Sequence, residues 1–212
     1  MINNLKIVLI RFLAFILVLS NFSCEDISSY DIIIVGGGTS GVVSAIQSSR
    51  MGSKTLLIEE SNWLGGMLTS AGVSAMDGNY KMPSGFLKEF RDSLVSHYGN
   101  LDSLKTGWVS NLMFEPSVGN KILKEIAQSE KNLTIMYETT IHKVVKDEKF
   151  KIKINQNDIT YNSTILIDAT ELGDLIPKLN LPYLIGMDSR KKFNEDIAPE
   201  FSNNIIQDLT YV

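Results

Sequence analysis

The fold of this chain is decided by the stretch Ile32-Ile33-Ile34-Val35-Gly36-Gly37-Gly38-Thr39-Ser40-Gly41. An apolar run typical of a β-strand ends there in a Gly-x-Gly-x-x-Gly pattern, and a helical pattern follows it. Gly36 permits a tight turn out of the strand, Gly38 exposes bare backbone to a pyrophosphate, and Gly41 allows the helix to pack closely on the sheet. The N–H groups and the positive end of the helix dipole then face the phosphates.

A second apolar run, Leu57-Ile58-Glu59, follows the predicted helix and ends in a carboxylate. An acidic residue about 20 positions beyond the glycines is the expected partner of ribose hydroxyls in a dinucleotide site. Strand, glycine turn, helix, second strand and acid are all present in order. The pattern therefore predicts a βαβ dinucleotide site, and the alternative is an ordinary structural turn that happens to be rich in glycine.

The composition bounds the class of protein. With 44% hydrophobic and 21% charged residues among 212, it is that of a soluble globular protein with room for one domain or one and a half. The net charge of −4 gives no reason to expect nucleic acid as a partner. The two histidines, His97 and His142, are interpreted as surface or structural residues. Asp77 and Asp174 are explained equally well by turns or helix capping, so we predict no catalytic residue and no metal site.

The first residues of the chain are typical of an export signal. Residues 1–23 contain positive side chains at Lys6 and Arg11 and an apolar run over 12–19, which is shorter than the roughly 20 residues that span a bilayer. We interpret them as a signal peptide; the alternatives are an uncleaved membrane anchor or a buried helix. Cys24, the only cysteine, lies where a bacterial lipoprotein signal carries its lipidated residue. We therefore expect an exported protein, periplasmic or anchored through lipidated Cys24, the alternative being ordinary cleavage that leaves a free thiol.

Hydrophobic periodicity and turn residues predict a layered α/β fold with a parallel central sheet, followed by a small β-meander. A loop over 61–80 is centred on Gly65-Gly66 and is too long for an idle connection. At the other end, Leu209–Val212 resembles the start of a strand, so we expect an incomplete chain. The predicted strands are Tyr30–Val35, Thr55–Glu59, Asn132–Tyr137, Thr140–Lys146, Phe150–Asn155, Asp158–Thr164 and Thr164–Asp168, and the predicted helices are Ser40–Met51, Ser84–His97 and Pro116–Ser129.

A second group of polar residues follows the apolar strand Thr164–Asp168. This strand ends in Asp168-Ala169-Thr170, and Gly173-Asp174 comes next. The carboxyl ends of strands line the ligand crevice of open α/β sheets, and small residues there allow the backbone to approach a ligand. We expect Asp168 to be buried and partnered by backbone N–H groups of the following turn. The alternative is that Asp168 caps the next helix.

Taken together, these motifs resemble the FAD-dependent oxidoreductases with the glutathione-reductase type of FAD fold, and above all a bacterial group of that family. The resemblance runs from about Tyr30 to the last residue. The motifs that carry it are Asp31–Gly41, Glu59, Leu64–Ser70, Pro83–Phe86, Phe114–Pro116 and Ile167–Leu175. It implies a Rossmann-like FAD-binding domain over 30–180 after a short linker over 24–29, and the start of a truncated substrate domain over 181–212.

The resemblance also implies a role for individual residues. The FAD pyrophosphate would lie on Gly36, Gly37, Gly38, Thr39, Ser40 and Gly41, the adenosine ribose on Glu59, and the ribityl chain and pyrophosphate along Gly65, Gly66 and Met67. Ile141 would offer its backbone to the adenine, and Ala169, Thr170 and Gly173 would form the second FAD-contact turn. Thr170-Glu171 stands where many flavoproteins of the wider superfamily have Thr-Gly.

The function implied is that of an FAD-dependent oxidoreductase whose flavin accepts a hydride from an unidentified small-molecule substrate. One alternative is an NAD-dependent dehydrogenase built on the same βαβ unit, with which Glu59 is equally compatible. Another is a truncated, non-catalytic remnant of such an enzyme. The oligomeric state is left open.

Overall fold

The computed structural model describes residues 27–76, 80–107, 110–157 and 159–206. The predicted signal peptide, Cys24, Asp77 and the terminal segment 209–212 lie outside this part of the chain. Within the described ranges, none of the helices is both long enough and apolar enough to cross a bilayer.

The described chain builds one six-stranded sheet in the order β3-β2-β1-β6-β5-β4. Its strands are β1 Ile27–Val35, β2 Thr55–Ile58, β3 Leu133–Met136, β4 Ile141–Lys146, β5 Phe150–Ile154 and β6 Thr160–Asp168. The first four in this order pair in parallel, and β5 pairs antiparallel with both β6 and β4. The predicted α/β class with a mostly parallel sheet is confirmed, and the meander extends the same sheet.

The strand β6 differs from the prediction in one way. It is one continuous strand, whereas the sequence predicted two strands that met at Thr164. Its first half pairs with β5 on one side and β1 on the other, so a single strand serves both the meander and the parallel sheet. The second half of this strand is apolar but partly exposed, since Ile165 is 49% exposed. The helix over Thr39–Arg50 packs on β1, β2 and β3. These strands lie on the other side of the sheet order from β5 and β4, with β6 next to β1.

Among the described residues, five α-helices accompany the sheet: α1 Thr39–Arg50, α2 Gly85–Tyr98, α3 Pro116–Gln128, α4 Leu175–Lys178 and α5 Arg190–Phe193. Single turns of 3-10 helix occur at Gly66–Leu68 and Asp102–Leu104. The main apolar core lies between α1, α2, α3 and one face of the sheet, where Phe90 meets Phe114 edge to face at 5.4 Å. A second apolar cluster lies on the opposite face, under the meander and Leu175.

The segment 172–206 has a different character from the rest. It contains only the two short helices and a bridge between Met187 and Asn203. Many of its large apolar side chains are exposed: Leu172, Leu181, Tyr183, Leu184, Ile185, Met187, Phe193, Ile197, Phe201, Ile205 and Ile206. The boundary near residue 180 between two domains stays a prediction.

Candidate cofactor site

The turn that leaves β1 is built around a backbone position that suits only glycine. Gly36 has φ of +100°, in the region that side chains rarely adopt. Its N–H donates to the carbonyl of Ile58 at 2.8 Å, and the N–H of Ala169 donates to the carbonyl of Val35 at 2.8 Å. A Cβ on Gly36 would lie 2.3 Å from the carbonyl oxygen of Ala169. The ends of β2, β1 and β6 therefore converge at this glycine.

Helix α1 begins directly on that turn. A Cβ on Gly41 would lie 1.9 Å from the carbonyl oxygen of Gly36, so only a residue without a side chain allows the helix so close. The N-cap is Gly38, whose carbonyl accepts the N–H of Val42 at 2.9 Å. No side chain of the described residues caps this helix end, and its first turn contains no acid. The N–H groups of the first turn, with the positive end of the helix dipole, are left for another acceptor.

Open space lies in front of this helix end. A Cβ built on Gly38 would meet no described atom within 4 Å. The backbone of Gly38 is extended, with φ of −60° and ψ of 175°, which any residue can adopt. Backbone conformation therefore does not require glycine here. What the missing side chain provides is room beside the unpaired helix amides, which is the arrangement that anions occupy at helix N-termini.

Glu59, the residue after β2, is buried at 8% exposure. Its Oε2 accepts the N–H of Gly37 at 2.5 Å, and its Oε1 accepts both the N–H of Ser61 at 2.8 Å and the Ser61 hydroxyl at 2.5 Å. A carboxylate has about four acceptor positions, so Glu59 keeps capacity for a further donor. The sequence reasoning missed Ser61; a serine two residues beyond a carboxylate at a strand end was the available signal.

A second glycine turn lies against the first. The N–H of Gly65 donates to the carbonyl of Gly37 at 2.8 Å, and the hydroxyl of Thr39 donates to the carbonyl of Gly65 at 2.7 Å. Gly65 and Gly38 form a parallel bridge, and a Cβ on Gly66 would lie 3.0 Å from the Cα of Gly38. The two turns, distant in sequence, thus form one continuous backbone surface, beside which Met67 is 59% exposed.

The turn after β6 is organised by Asp168, which the structure places at the surface. The expectation that Asp168 is buried is therefore wrong. Its Oδ1 accepts the N–H of Thr170 at 3.1 Å and the Thr170 hydroxyl at 2.7 Å, and its Oδ2 accepts the N–H of Leu175, the first residue of α4, at 3.1 Å. The carboxylate thus binds the following turn and also caps the next helix. The Thr170 hydroxyl in turn accepts the N–H of Asp174 at 2.8 Å, and Gly173 has φ of +71°.

Ile141 opens β4, one of the two edge strands of the described sheet. It lies opposite Ile154, and the N–H of Asn155 donates to the carbonyl of Thr140 at 3.1 Å. In an antiparallel pair this pattern marks a position whose own N–H and C=O point away from the partner strand. Two residues earlier, the N–H of Thr139 donates to the carbonyl of Glu59 at 2.9 Å, which ties the start of β4 to the end of β2.

The remaining polar candidates lie elsewhere. His97 is in the last turn of α2 and meets the ring of Tyr98 edge to face at 4.8 Å, and His142 is exposed on β4. Asp174 has its N–H engaged by Thr170, within the turn after β6. Across the residues that the structure describes, no group of three or more His, Cys, Asp or Glu is arranged to hold a metal ion.

Comparison with known proteins identifies the family of this chain. Residues 31–211 match the family model of the FAD dependent oxidoreductases. Digeranylgeranylglycerophospholipid reductase of Methanococcus vannielii is 25% identical over 174 residues, which are 79% of this chain and 43% of that protein. The chain thus spans less than half the length of this curated relative.

Among solved structures, the flavin-dependent monooxygenase PieE, determined in complex with FAD and substrate, is similar with a TM-score of 0.52. The identity is 16%, and the match covers 76% of this chain and 34% of that one, so the likeness concerns the fold alone. The family match extends over nearly all of the described residues, including both glycine turns and the turn after β6. The chain belongs to the FAD-dependent oxidoreductase family.

Proposed function

We propose that the whole protein is an FAD-dependent oxidoreductase that takes a hydride from a small-molecule substrate, and that the chain described here holds the FAD. The observation that carries this proposal is the pairing of the two glycine turns in front of an uncapped helix end. Gly38 and Gly65 bridge there, and the space beside Gly38 is open. The family match over 31–211 supports the choice of FAD over NAD.

The residues present fit the cofactor. A pyrophosphate needs N–H donors and positive potential, and the first turn of α1 supplies both, since Thr39, Ser40 and Gly41 precede the first intrahelical hydrogen bond. A bulky group needs room, and the space at Gly38 provides it. A ribose hydroxyl needs an acceptor, and Glu59 keeps one beside the same turn.

We assign the remaining contacts by position. Gly65, Gly66 and Met67 extend the surface along the pyrophosphate and ribityl chain, and Ile141 offers its outward backbone groups to the adenine. In the turn after β6, Ala169 and Gly173 allow the cofactor to approach. Thr170 shapes this turn through its hydroxyl, which bonds both Asp168 and Asp174.

Bound flavin supplies the redox chemistry, since its ring accepts the hydride. The described residues bind and orient the cofactor: α1 and the two glycine turns fix the phosphates, and Glu59 fixes the ribose end. We therefore propose that these residues together bind the cofactor.

The test uses Gly38→Leu in the full-length protein. Because the space is open and the backbone is extended, we expect the variant to fold with the melting temperature of the deflavinated wild type and to lose FAD by at least about tenfold in affinity, equivalent to about 1.4 kcal/mol. The flavin absorption spectrum of the purified protein and an FAD titration measure this loss. Wild-type affinity in Gly38→Leu, or a wild-type protein that stays colourless after reconstitution, contradicts the proposal.

We further propose that this chain is the N-terminal part of a longer enzyme. The many exposed large apolar side chains over 172–206 support this, because exposed apolar patches usually mark an interface. The alternative of a non-catalytic remnant predicts that the same surface causes aggregation. Reading the gene beyond codon 212 distinguishes the two, since an immediate stop codon favours the remnant.

For localisation, we propose export with lipid attachment at Cys24, supported by the sequence of residues 1–24. Labelling with a radioactive fatty acid tests it, with Cys24→Ser as the control. Equal labelling of the two proteins contradicts lipidation. Small molecules are the proposed partners, and nucleic acid is not, in view of the negative net charge.

A further inference from the structure

The loop between Glu59 and the second glycine turn is held by polar side chains of α3. The N–H of Leu64 donates to the Oδ1 of Asn120 at 2.9 Å. The Nζ of Lys124 donates to the carbonyl of Asn62 at 2.7 Å and to its Oδ1 at 2.9 Å. Asn120 and Lys124 are one helical turn apart and so project from the same face of α3. The helix therefore binds this loop through two side chains.

The Asn120 contact acts directly next to the glycine turn. Leu64 is fully buried, and its carbonyl accepts the Thr69 hydroxyl at 2.6 Å. Both the N–H and the C=O of Leu64 are therefore hydrogen-bonded to side chains. The next residue is Gly65, which bonds Gly37 and Thr39. From α3, Leu123 packs beneath the turn, since its Cδ1 would lie 2.6 Å from a Cβ on Gly65.

The identity of residue 120 calls for an explanation beyond helix formation. Asn is a weaker helix former than Ala or Leu, and position 120 is inside α3. A local preference that contradicts its element often marks a functional requirement. Here the requirement is an acceptor for the partly buried N–H of Leu64, because a buried N–H without a partner is destabilising.

We infer that Asn120 is a positioning residue for FAD, assisted by Lys124: it holds the Gly65–Gly66 turn against the first glycine turn, so that the two present one surface to the cofactor. This inference rests on the proposed function. When a binding surface is fixed before the ligand arrives, binding does not have to order it. Without the Asn120 acceptor, the turn is held less firmly against Gly37, and FAD binding then bears part of the cost of ordering it.

The experiment measures FAD affinity by fluorescence titration of the deflavinated full-length protein, and its melting temperature without FAD. We expect Asn120→Leu to weaken FAD binding about tenfold. Asn120→Asp keeps the acceptor oxygen and is expected to restore affinity to within about threefold of wild type, a difference of about 0.7 kcal/mol. Lys121→Leu, at an exposed position of the same helix, is the matched control and is expected to bind like wild type.

The outcomes separate the two proposals. A wild type that does not bind FAD contradicts the proposed function. If the wild type binds FAD, the inference about Asn120 is wrong when Asn120→Leu binds equally well, when Asn120→Asp binds as poorly as Asn120→Leu, or when only the melting temperature falls. Should Asn120→Leu not fold, Lys124→Met carries the test, because it removes the contact with Asn62 and is expected to weaken FAD binding about threefold, while wild-type affinity overturns the inference.

Discussion

Glu59 and Asp168 lie at the ends of the two strands that flank β1, and their carboxylates bind different parts of the chain. Val35 at the end of β1 pairs with Ile58 on one side and with Asp168 on the other. Glu59 is buried and bonds Gly37, which belongs to another segment. Asp168 is exposed and bonds only groups of its own turn among the contacts described, up to Leu175. Two carboxylates at similar places in a sheet thus join segments in one case and shape a loop in the other.

The largest effect is expected where the two strand ends meet. Gly36→Ala places a Cβ 2.3 Å from the Ala169 carbonyl at a φ of +100°. Backbone strain and the collision together are expected to lower the free energy of unfolding by about 3 kcal/mol or more, measured by urea denaturation. Gly99→Ala is the control, because its φ is +90° but its Cβ would meet no described atom within 4 Å. Gly99→Ala is expected to lower the free energy of unfolding by about 1 kcal/mol. An equal loss of stability in the two variants would show that the strand ends do not constrain Gly36.

Removal of the joining carboxylate is expected to have the next largest effect. Glu59→Ala leaves the buried N–H of Gly37 without its acceptor, which costs about 1–3 kcal/mol. Because Glu59 is also the proposed acceptor for a ribose hydroxyl, FAD affinity is expected to fall as well, by about tenfold. Urea denaturation and FAD titration measure the two effects, and an unchanged FAD affinity would remove the distinction between the carboxylates.

Removal of the loop-shaping carboxylate is expected to have a smaller and more local effect. Asp168→Ala deletes the cap on α4 and the bonds to Thr170, which is worth about 1 kcal/mol. Amide hydrogen exchange is expected to become faster at Thr170 and Leu175 and to stay unchanged at Gly37. Faster exchange at Gly37 would mean that Asp168 also couples separate segments.

The smallest effect concerns the influence of the Glu59 charge on the pKa of Tyr137. Burial, and to a lesser extent the charge of Glu59, raises the pKa of Tyr137 above its ordinary value of 10.0. The folded protein holds this proton more tightly than the unfolded chain does. The resulting stabilisation is therefore complete below pH of about 10 and is lost as the pH rises through the raised pKa.

Absorbance titration of Tyr137 tests this influence. Glu59→Gln is expected to lower the pKa of Tyr137 part of the way towards its ordinary value, and Asp168→Asn is expected to leave it unchanged. Tyr137→Phe should remove the alkaline loss of stability. At neutral pH it should leave stability unchanged or raise it, because the buried hydroxyl of Tyr137 has no hydrogen-bond partner within the described part of the chain and its removal relieves a desolvation cost. Equal shifts with both carboxylate variants would contradict the comparison.

The sequence alone was sufficient for the features that depend on contiguous residues. The glycine pattern with its helix, the acid at position 59 and the bounds of most strands and helices follow from local periodicity and turn chemistry. Ser61 and Asn120 were missed because their importance lies in hydrogen bonds to the backbone of other residues, which no local pattern records. The exposure of Asp168 was missed because burial depends on which layer covers a strand end. The continuity of β6 was missed because one strand serves two kinds of partner.

The position of β6 in the chain also determines when the sheet can be completed during synthesis. β1 opens the described chain, and β6 is made after every other described strand. During synthesis, the ribosome therefore releases α1 and its glycines long before Ala169 arrives to close the turn at Gly36. Until then β1 has an unsatisfied flank, which is the kind of surface that chaperones recognise. The nascent chain thus contains the glycine pattern early in synthesis, but the turn at Gly36 is completed only after β6 has been made.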